Sequence, residues 1–147
     1  MIREIDSKSI KHIKELFLDV FTNEPWNDEW ESDSQALFYI EDLICNRNSL
    51  TFGLYEEDEL IGVSMGYVYN WWQGKEYYIK EFCISRSKQS KGYGKKFLSE
   101  IEEYLRNKDI STIWLTTEKT VAAYNFYINN GFNEFEESVF LAKGIKW

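Results

Sequence analysis

The chain has 147 residues, 44% of them hydrophobic and 18% aromatic, which is enough for one compact domain with a core and too little for two of ordinary size. This aromatic content excludes a disordered acidic chain. The 17 Lys and Arg residues against 25 Asp and Glu residues give a formal net charge of −8, which disfavours nucleic acid and anionic membranes as partners and favours a cationic one. We expect a single domain over residues 1–147.

The two cysteines indicate the compartment. Cys45 and Cys83 lie far apart, and neither belongs to a Cys-x-x-Cys motif or a Cys/His cluster, which argues against a zinc site and against a disulfide framework. No apolar run reaches the length of a membrane span or of a signal-peptide core. We therefore expect a cytoplasmic protein that uses no metal.

The first third of the chain predicts one strand and two helices. A short strand at residues 2–5 is followed by a helix that Asp6 or Ser7 can cap, and the apolar residues of 10–21 fall on one face of this helix. The helix should end before Pro25, the only proline. Apolar residues at helical spacing predict a second helix through 36–44. The candidate caps of the second helix are Ser32, Asp33 and Ser34.

The middle of the chain predicts antiparallel strands. Residues 49–55 and 60–69 are β-rich runs on either side of the charged turn 56–59, a pattern typical of a β-hairpin. A third β-rich run at 77–84 is followed by a polar loop that contains glycines, and then by a helix with an apolar stripe. This part of the chain is therefore predicted to form three strands, a loop and a helix, in that order.

The last third predicts one more helix between strands. A short strand is expected at 113–116, a helix at 121–130 that ends at Gly131 as a left-handed cap, and a last strand or pair of strands at 135–141. The element order βααβββαβαβ, with room for one further strand, predicts a mixed α/β domain.

The most informative loop is Gln89-Ser90-Lys91-Gly92-Tyr93-Gly94, between the third β-rich run and its helix. Unpaired backbone N–H groups at a helix N-terminus bind phosphate oxygens, and glycines let the anion come close. Neither a Walker motif nor the three-glycine dinucleotide fingerprint is present. Lysines 91, 95 and 96 oppose the helix dipole, a conflict that a bound anion would resolve. The alternative is that Gly92 and Gly94 only shape a turn.

A second segment, Ala123-Tyr124-Asn125-Phe126-Tyr127-Ile128-Asn129-Asn130-Gly131-Phe132, follows one strand and one helix later. The pair of motifs, Q-x-x-G-x-G and then A-x-x-F-Y-x-x-x-G-F, resembles the acetyl-CoA signature of the GNAT superfamily of N-acetyltransferases over nearly the whole chain. The resemblance implies a GNAT-type fold, with a central, mostly antiparallel twisted sheet flanked by helices and splayed so that the cofactor enters between its middle strands. It implies N-acetylation with acetyl-CoA as the acyl donor.

The same resemblance implies which residues hold the cofactor. The loop amides would surround the pyrophosphate, the backbone of residues 82–84 would pair with the pantetheine amides, and Tyr127 would be the acid that protonates the departing thiolate. Many members have an Asn where this chain has Thr120, so that contact is expected to be shorter or absent. The aromatic residues around Tyr127 are also typical of a core. The expected cofactor residues are Phe82, Cys83, Ile84, Gln89, Lys91, Gly92, Tyr93, Gly94, Lys95, Thr120 and Tyr127.

Acetyl transfer also needs a base, because a protonated ammonium has no lone pair for attack. Glu81 is the first choice, since it lies in the strand beside the expected thioester; Glu76 is the second, and family members also use water chains. Alternatively, Glu81 lies on a solvent-facing edge and pairs with Lys80. We expect direct attack rather than an acyl-enzyme at Cys83, because the one histidine, His12, is on the first helix.

The acceptor side is expected in residues 22–33, where tryptophans alternate with carboxylates. Aromatic faces and carboxylates together suit a polycation, and in the GNAT family this region commonly lines the acceptor pocket. The alternative is that the tryptophans pack the helices on the sheet and the acids form a solvated rim. The expected acceptor residues are Trp26, Asp28, Glu29, Trp30 and, as a further wall, Trp71.

Two other functions stay open at the level of the sequence. The first is a non-catalytic acyl-CoA-binding sensor or interaction module of the same fold, which the intact Gln89, Gly92, Gly94 and Tyr127 argue against. A nucleotide-binding regulator is weaker, because the loop matches no nucleotide motif. The acceptor is equally open among aminoglycosides, polyamines, peptide lysines and metabolite amines, and so is the choice between a monomer and a homodimer.

Overall fold

A mixed sheet forms the centre of the first of two units in the computed structural model, which describes residues 1–146. The first unit is Met1–Thr116 and the second begins at Thr117. The prediction of a single domain stays a prediction. The strands are β1 (Ile2–Ile5), β2 (Ser49–Glu56), β3 (Glu59–Trp71), β4 (Gly74–Ile84) and β5 (Ile110–Trp114); the helices are α1 (Ile10–Phe21), α2 (Asp33–Ile44), α3 (Tyr93–Asn107) and, in the second unit, α4 (Ala122–Asn129).

The strands follow one another across the sheet in chain order. The order is β1-β2-β3-β4-β5, in which the first four strands are antiparallel to their neighbours and β5 is parallel to β4. The parallel pair requires a crossover, and α3 supplies it. The predicted hairpin around residues 56–59 and the strand, loop and helix that follow are confirmed.

Helices α1 and α2 cover one face of the sheet because their apolar residues recur at helical spacing. The α2 cap is Ser32, one of the three predicted residues, whose side chain accepts a hydrogen bond from the Gln35 N–H at 3.1 Å. Asp6 caps a short 3₁₀ turn at Ser7–Ser9 instead of α1 itself. The core on this face contains residues of α1 and α2 together with Val63, Met65 and Cys83.

Helix α3 covers the opposite face. Its Phe97 ring stacks on Phe82 with the ring centroids 5.2 Å apart, and Tyr104 meets Phe52 edge-on. The phenol of the fully buried Tyr77 donates to the Leu50 carbonyl at 2.9 Å. Odd and even positions of the central strands therefore pack against different helices.

One irregularity in β4 decides which side chains face which helix. Met65 pairs with Glu81, but the next residue of β3, Gly66, pairs with Ile79, so Lys80 is an extra residue in a β-bulge. Because of this bulge Glu81 and Tyr78, three residues apart, face the same side. The ladder between β4 and β5 ends at Tyr78 and Trp114, before β4 itself ends.

Most element boundaries differ from the predicted ones by a few residues, because the ladders and not the local pattern set them. Strand β3 extends to Trp71 and β4 begins at Gly74, since these two residues pair with each other across the turn. Strand β5 begins at Ile110 rather than at residue 113, because its register follows β4. The left-handed cap of α4 at Gly131 is confirmed, with φ of +92°.

The predicted strand at residues 135–141 is wrong: within residues 1–146 these residues belong to no strand. The Ser138 N–H donates to the Phe135 carbonyl at 3.2 Å, which closes a turn over two adjacent glutamates. A strand is stable only when a neighbour pairs with its backbone, and the apolar pattern does not contain that partner. The side chains of Phe135, Val139, Phe140 and Leu141 are at least 77% exposed.

Close packing at the bulge predicts that Gly66→Ala is strongly destabilising. A Cβ at Gly66 would lie 2.1 Å from the Tyr78 carbonyl oxygen, a backbone atom that cannot turn aside. We expect urea unfolding to show a loss of about 3 kcal/mol, the upper end of overpacking costs. The control Gly53→Ala meets only the ends of flexible side chains and should cost about 1 kcal/mol. Equal losses for the two variants would contradict this account of the bulge.

Candidate functional site

The predicted phosphate loop has a backbone that exposes its amides. After a 3₁₀ turn at Arg86–Lys88 the chain passes through two left-handed residues, Ser90 with φ of +60° and Gly92 with φ of +87°, and then enters α3. Gly92 is the N-cap and has no side chain to accept the first N–H groups of the helix. A Cβ at Gly92 would meet nothing within 4 Å, so the space beside this backbone is open.

Gln89 has a structural contact within the loop. Its Nε2 donates to the carbonyl oxygen of Ile84 at 2.9 Å, which ties the loop to the last residue of β4. The amide thereby holds the turn in shape, and its direct contact with a pyrophosphate stays a prediction. The side chains of Lys91, Lys95 and Lys96 are exposed, and none of them has a carboxylate within 4.0 Å among residues 1–146.

Two other cations beside the loop are paired. The Arg86 guanidinium donates twice to the Asp19 carboxylate, at 2.8 and 3.2 Å, and these bonds hold the pKa of that carboxyl below its usual range. Lys88 Nζ lies 2.5 Å from Glu56 Oε1 at the end of β2. Lys91, Lys95 and Lys96, which form no ion pair among residues 1–146, therefore give the start of α3 a positive charge, although the chain as a whole is acidic.

Glu81 faces α2 and not the solvent-facing edge. The Tyr39 phenol donates to its Oε2 at 2.5 Å. Burial raises the pKa of the Glu81 carboxyl; the Tyr39 hydrogen bond and the Lys80 charge lower it in part, and the nearby Asp28 raises it further. A carboxylate whose pKa is raised accepts a proton more readily than an ordinary one, which suits a base that deprotonates an ammonium group.

Tyr39 is a site residue that the sequence analysis missed. Its ring packs on Trp30, with centroids 5.4 Å apart, and on Phe17 at 5.9 Å. Burial and the Glu81 carboxylate raise the pKa of Tyr39, so it is a proton donor in its hydrogen bond at any physiological pH. The sequence did contain one signal for a buried Tyr39: it lies between Ala36 and Leu43, at helical spacing from both, on the apolar stripe of α2.

The predicted acceptor residues are only partly brought together. Trp26 packs on Phe21, with ring centroids 5.5 Å apart, and Trp30 packs on α1 and α2, while its buried Nε1 has no hydrogen-bond acceptor among residues 1–146. Burial raises the pKa of Asp28, whose charge acts on Glu81. The tryptophans thus do pack the helices, and one face of this packed group borders Glu81.

Glu29 and Trp71 make no contact that would join them to this group among residues 1–146. Glu29 is exposed and has no ion pair within the described chain. Trp71 is 53% exposed and lies six residues along β3 from Met65, the partner of Glu81, which is about 20 Å at the usual rise of a strand. Glu76 shares the face of Glu81 but pairs with Tyr69, nearer to the Trp71 end.

The remaining predicted residues have other surroundings. Cys83 is buried in the α1 and α2 core, and burial raises the pKa of its thiol, which keeps it from being a thiolate nucleophile. Phe82 and Ile84 lie at the end of β4 beyond its ladder with β5. In the second unit Thr120 is exposed, and the ring of Tyr127, a residue of α4, contacts the rings of Phe126 and Phe132.

Neither a group of metal ligands nor a membrane-spanning helix is found among residues 1–146. Within residues 1–146, no three His, Cys, Asp or Glu side chains are grouped as metal ligands would be. None of the helices in this part of the chain has the length and apolar character needed to span a bilayer.

Comparison with known proteins identifies the family to which this chain belongs. The model of the acetyltransferase (GNAT) family matches residues 10–132, so the chain belongs to this family. The fold is similar to that of the aminoglycoside acetyltransferase meta-AAC0020 from an uncultured soil metagenomic sample, in complex with sisomicin, with a TM-score of 0.76, 19% identity, and coverage of 99% of this chain and 96% of that one. The predicted GNAT-type fold is confirmed.

Two further solved structures are similar. The aminoglycoside N-acetyltransferase AAC(6')-Iy in complex with CoA has a TM-score of 0.73 at 16% identity, with 97% of this chain and 93% of that one covered. A transcriptional regulator from Bacillus halodurans C-125 has a TM-score of 0.74 at 16% identity, with 97% and 99% covered. At these identities the similarity shows the fold alone. No curated protein matches the sequence.

The Tyr39–Glu81 hydrogen bond predicts a measurable titration. Because the phenol donates to the charged carboxylate, its loss in Tyr39→Phe should move the pKa of Glu81 further up. The Glu81 pKa is measured by following the carbon-13 NMR signal of its side-chain carboxyl group with pH. The Glu81→Gln variant identifies that signal, because the signal is missing from its spectrum. The control Tyr69→Phe removes an exposed phenol from the same face and should change nothing. An unchanged or lower Glu81 pKa in Tyr39→Phe would show that the bond does not stabilise the carboxylate.

Proposed function

We propose that this protein is an acetyl-CoA-dependent N-acetyltransferase that moves the acetyl group to a primary amine of a cationic acceptor. The observation that carries the proposal is the loop before α3 in a chain of the GNAT family: its backbone is open at Gly92, and its lysines form no ion pair within residues 1–146. The CoA-bound neighbour of the same fold supports acetyl-CoA as the donor.

The cofactor would bind through its pyrophosphate. The first amides of α3 and the N-terminal end of the helix dipole attract the phosphate oxygens, and the Lys91 and Lys95 ammonium groups add charge. The pantetheine arm would follow the end of β4, residues 82–84, beyond the point where the ladder with β5 ends. Bound acetyl-CoA presents the thioester carbonyl carbon to the amine.

Glu81 is the base that we propose for the acceptor ammonium. Its pKa is raised by burial, so it takes up a proton more readily than an exposed carboxylate does, either directly or through an ordered water. The neutral amine then attacks the thioester, the nitrogen–carbon bond forms, and the carbon–sulfur bond breaks. In this proposal no acyl-enzyme forms. Tyr127 gives its proton to the departing thiolate and regains one when the acetylated nitrogen loses its remaining extra proton, directly or through water.

The acceptor is proposed to be cationic because of the charges around Glu81. Asp28 and Glu81 are two carboxylates close enough to influence each other, and Trp30 and Tyr39 offer ring faces beside them. A cation relieves the repulsion between the carboxylates and gains contact with the rings. The solved structure of the aminoglycoside acetyltransferase contains sisomicin, so aminoglycosides are the first amines to test as acceptors of this protein.

We also propose a cytoplasmic location, in which the free thiols of Cys45 and Cys83 stay reduced.

The decisive experiment joins binding and turnover. Calorimetry with acetyl-CoA and release of free thiol over aminoglycosides, polyamines, lysine peptides and metabolite amines should give binding and acetylation, with a KM for the amine that rises with salt. ATP should not bind. Binding without turnover of any amine would identify a sensor of the same fold, and absence of acetyl-CoA binding would end the proposal.

A matched pair of glycine variants tests the loop. Gly92 and Gly131 both have a positive φ and open space where a Cβ would stand, so alanine introduces the same backbone strain at each. We expect Gly92→Ala to raise the Kd of acetyl-CoA by about tenfold, or ~1.4 kcal/mol, because its methyl group obstructs the approaching phosphate. Gly131→Ala should leave that Kd unchanged. Equal Kd values would remove the pyrophosphate from this loop.

The proposed acid is tested on α4. Tyr127→Phe keeps the ring that packs on Phe126 and Phe132 and removes the proton donor. We expect kcat to fall by about a hundredfold, typical of general acid catalysis, with the Kd of acetyl-CoA changed little. Tyr124→Phe, which removes a phenol from the same helix, is the control. A kcat near that of the unaltered protein would leave Tyr127 with a packing role only.

A further inference from the structure

A carboxylate at the end of β2 holds the loop before α3 from both sides. Glu56 Oε1 accepts a hydrogen bond from Lys88 Nζ at 2.5 Å. Its other oxygen, Oε2, accepts one from the Tyr93 phenol. Lys88 lies just before the segment 89–92 and Tyr93 just after it, so one side chain connects the two ends of the loop to the sheet.

The three groups form a charged cluster at neutral pH. The hydrogen bonds from Lys88 and Tyr93 lower the pKa of Glu56, and the same carboxylate raises the pKa of Lys88. The Lys88 ammonium also lies 5.7 Å from the centroid of the Tyr93 ring. Lys88 therefore has its charge satisfied inside the protein, in contrast to Lys91 and Lys95, whose charges are open to a ligand.

The segment between these two anchors needs such support. Ser90, with φ of +60°, is a non-glycine residue in the left-handed region, a conformation that persists where surrounding contacts hold it. Within the loop, the Gln89 amide on the Ile84 carbonyl is one such contact. The Glu56 cluster is the second, and it comes from a different hairpin of the sheet.

We propose that Glu56 is a positioning residue that preorganises the loop for the pyrophosphate of CoA, and that it acts through Lys88 and Tyr93 without touching the ligand. The inference rests on the proposed function. A loop that is already ordered loses less conformational entropy when the anion binds. An acidic residue therefore strengthens the binding of an anion, the reverse of what its charge alone would do.

The experiment measures the Kd of CoA for four variants by calorimetry. Glu56→Gln replaces two charged acceptors by one neutral one, and Tyr93→Phe removes one donor without changing charge. We expect Kd to rise about tenfold for the first and about threefold for the second, as for hydrogen bonds to charged groups. The double variant should be no weaker than Glu56→Gln alone, since both changes break one cluster. Glu57→Gln, an exposed neighbour with the same charge change, should bind as the unaltered protein does.

A second donor separates positioning from a general loss of structure. The acetyl thioester of pantetheine lacks the pyrophosphate, so its kcat/KM should be the same for Glu56→Gln and the unaltered protein, whereas kcat/KM for acetyl-CoA falls. With acetyl-CoA the change should be in KM, with kcat retained. Thermal unfolding of each variant shows that the fold is intact.

The outcomes are distinguishable. If the unaltered protein does not bind CoA, the proposed function fails. If it binds CoA and Glu56→Gln binds equally well or more tightly, the carboxylate only neutralises Lys88 and this inference is overturned. Equal losses with both acetyl donors would also overturn it, because the effect would then not reach the pyrophosphate.

Discussion

The extra residue in β4 is the constraint on which the rest of the site depends. Because Lys80 interrupts the pairing of β3 with β4, Glu81 turns to the α1 and α2 face while Phe82 turns to α3. Without this shift, a strand with strict alternation would place Tyr78 and Glu81 on opposite faces. Gly66 allows the bulge, since its missing side chain is the space that the Tyr78 carbonyl occupies.

Two halves of the proposed chemistry lie on the two sides of this strand end. On one side the Tyr39 phenol and the packed ring of Trp30 surround the Glu81 carboxylate, where burial raises its pKa. Beyond the end of the strand the chain turns into the loop that ends at Gly92, the N-cap of α3, which has no side chain to accept the first N–H groups of the helix and is proposed to bind the pyrophosphate. A base and an anion-binding loop separated by a few residues of one strand suit a reaction between a cationic amine and an acyl donor that carries phosphates.

The charges at the start of α3 differ in sign from those around Glu81. The chain has a net charge of −8, yet the lysines at the start of α3 form no ion pair among residues 1–146, while the nearby Asp19 and Glu56 pair with Arg86 and Lys88. Asp28 and Glu81 form no ion pair among residues 1–146, which supports the proposed cationic acceptor on that side of the sheet.

The sequence by itself determined the fold class, most of the elements and the position of the glycine-containing loop before α3, because apolar periodicity, caps and glycine spacing are local signals. It did not determine the partner of Glu81: Tyr39 is 42 residues away, and only the packing of α2 on β4 brings them together. The same holds for Glu56, which the sequence does not distinguish from the other acidic residues of the turn 56–59. It also holds for Trp71, whose distance from Glu81 depends on the length of the β3–β4 ladder. The strand predicted at 135–141 was wrong for this reason too, since an apolar pattern does not specify the strand that must pair with it. Tertiary structure decided these features because hydrogen bonds and ladders join residues that the sequence keeps apart.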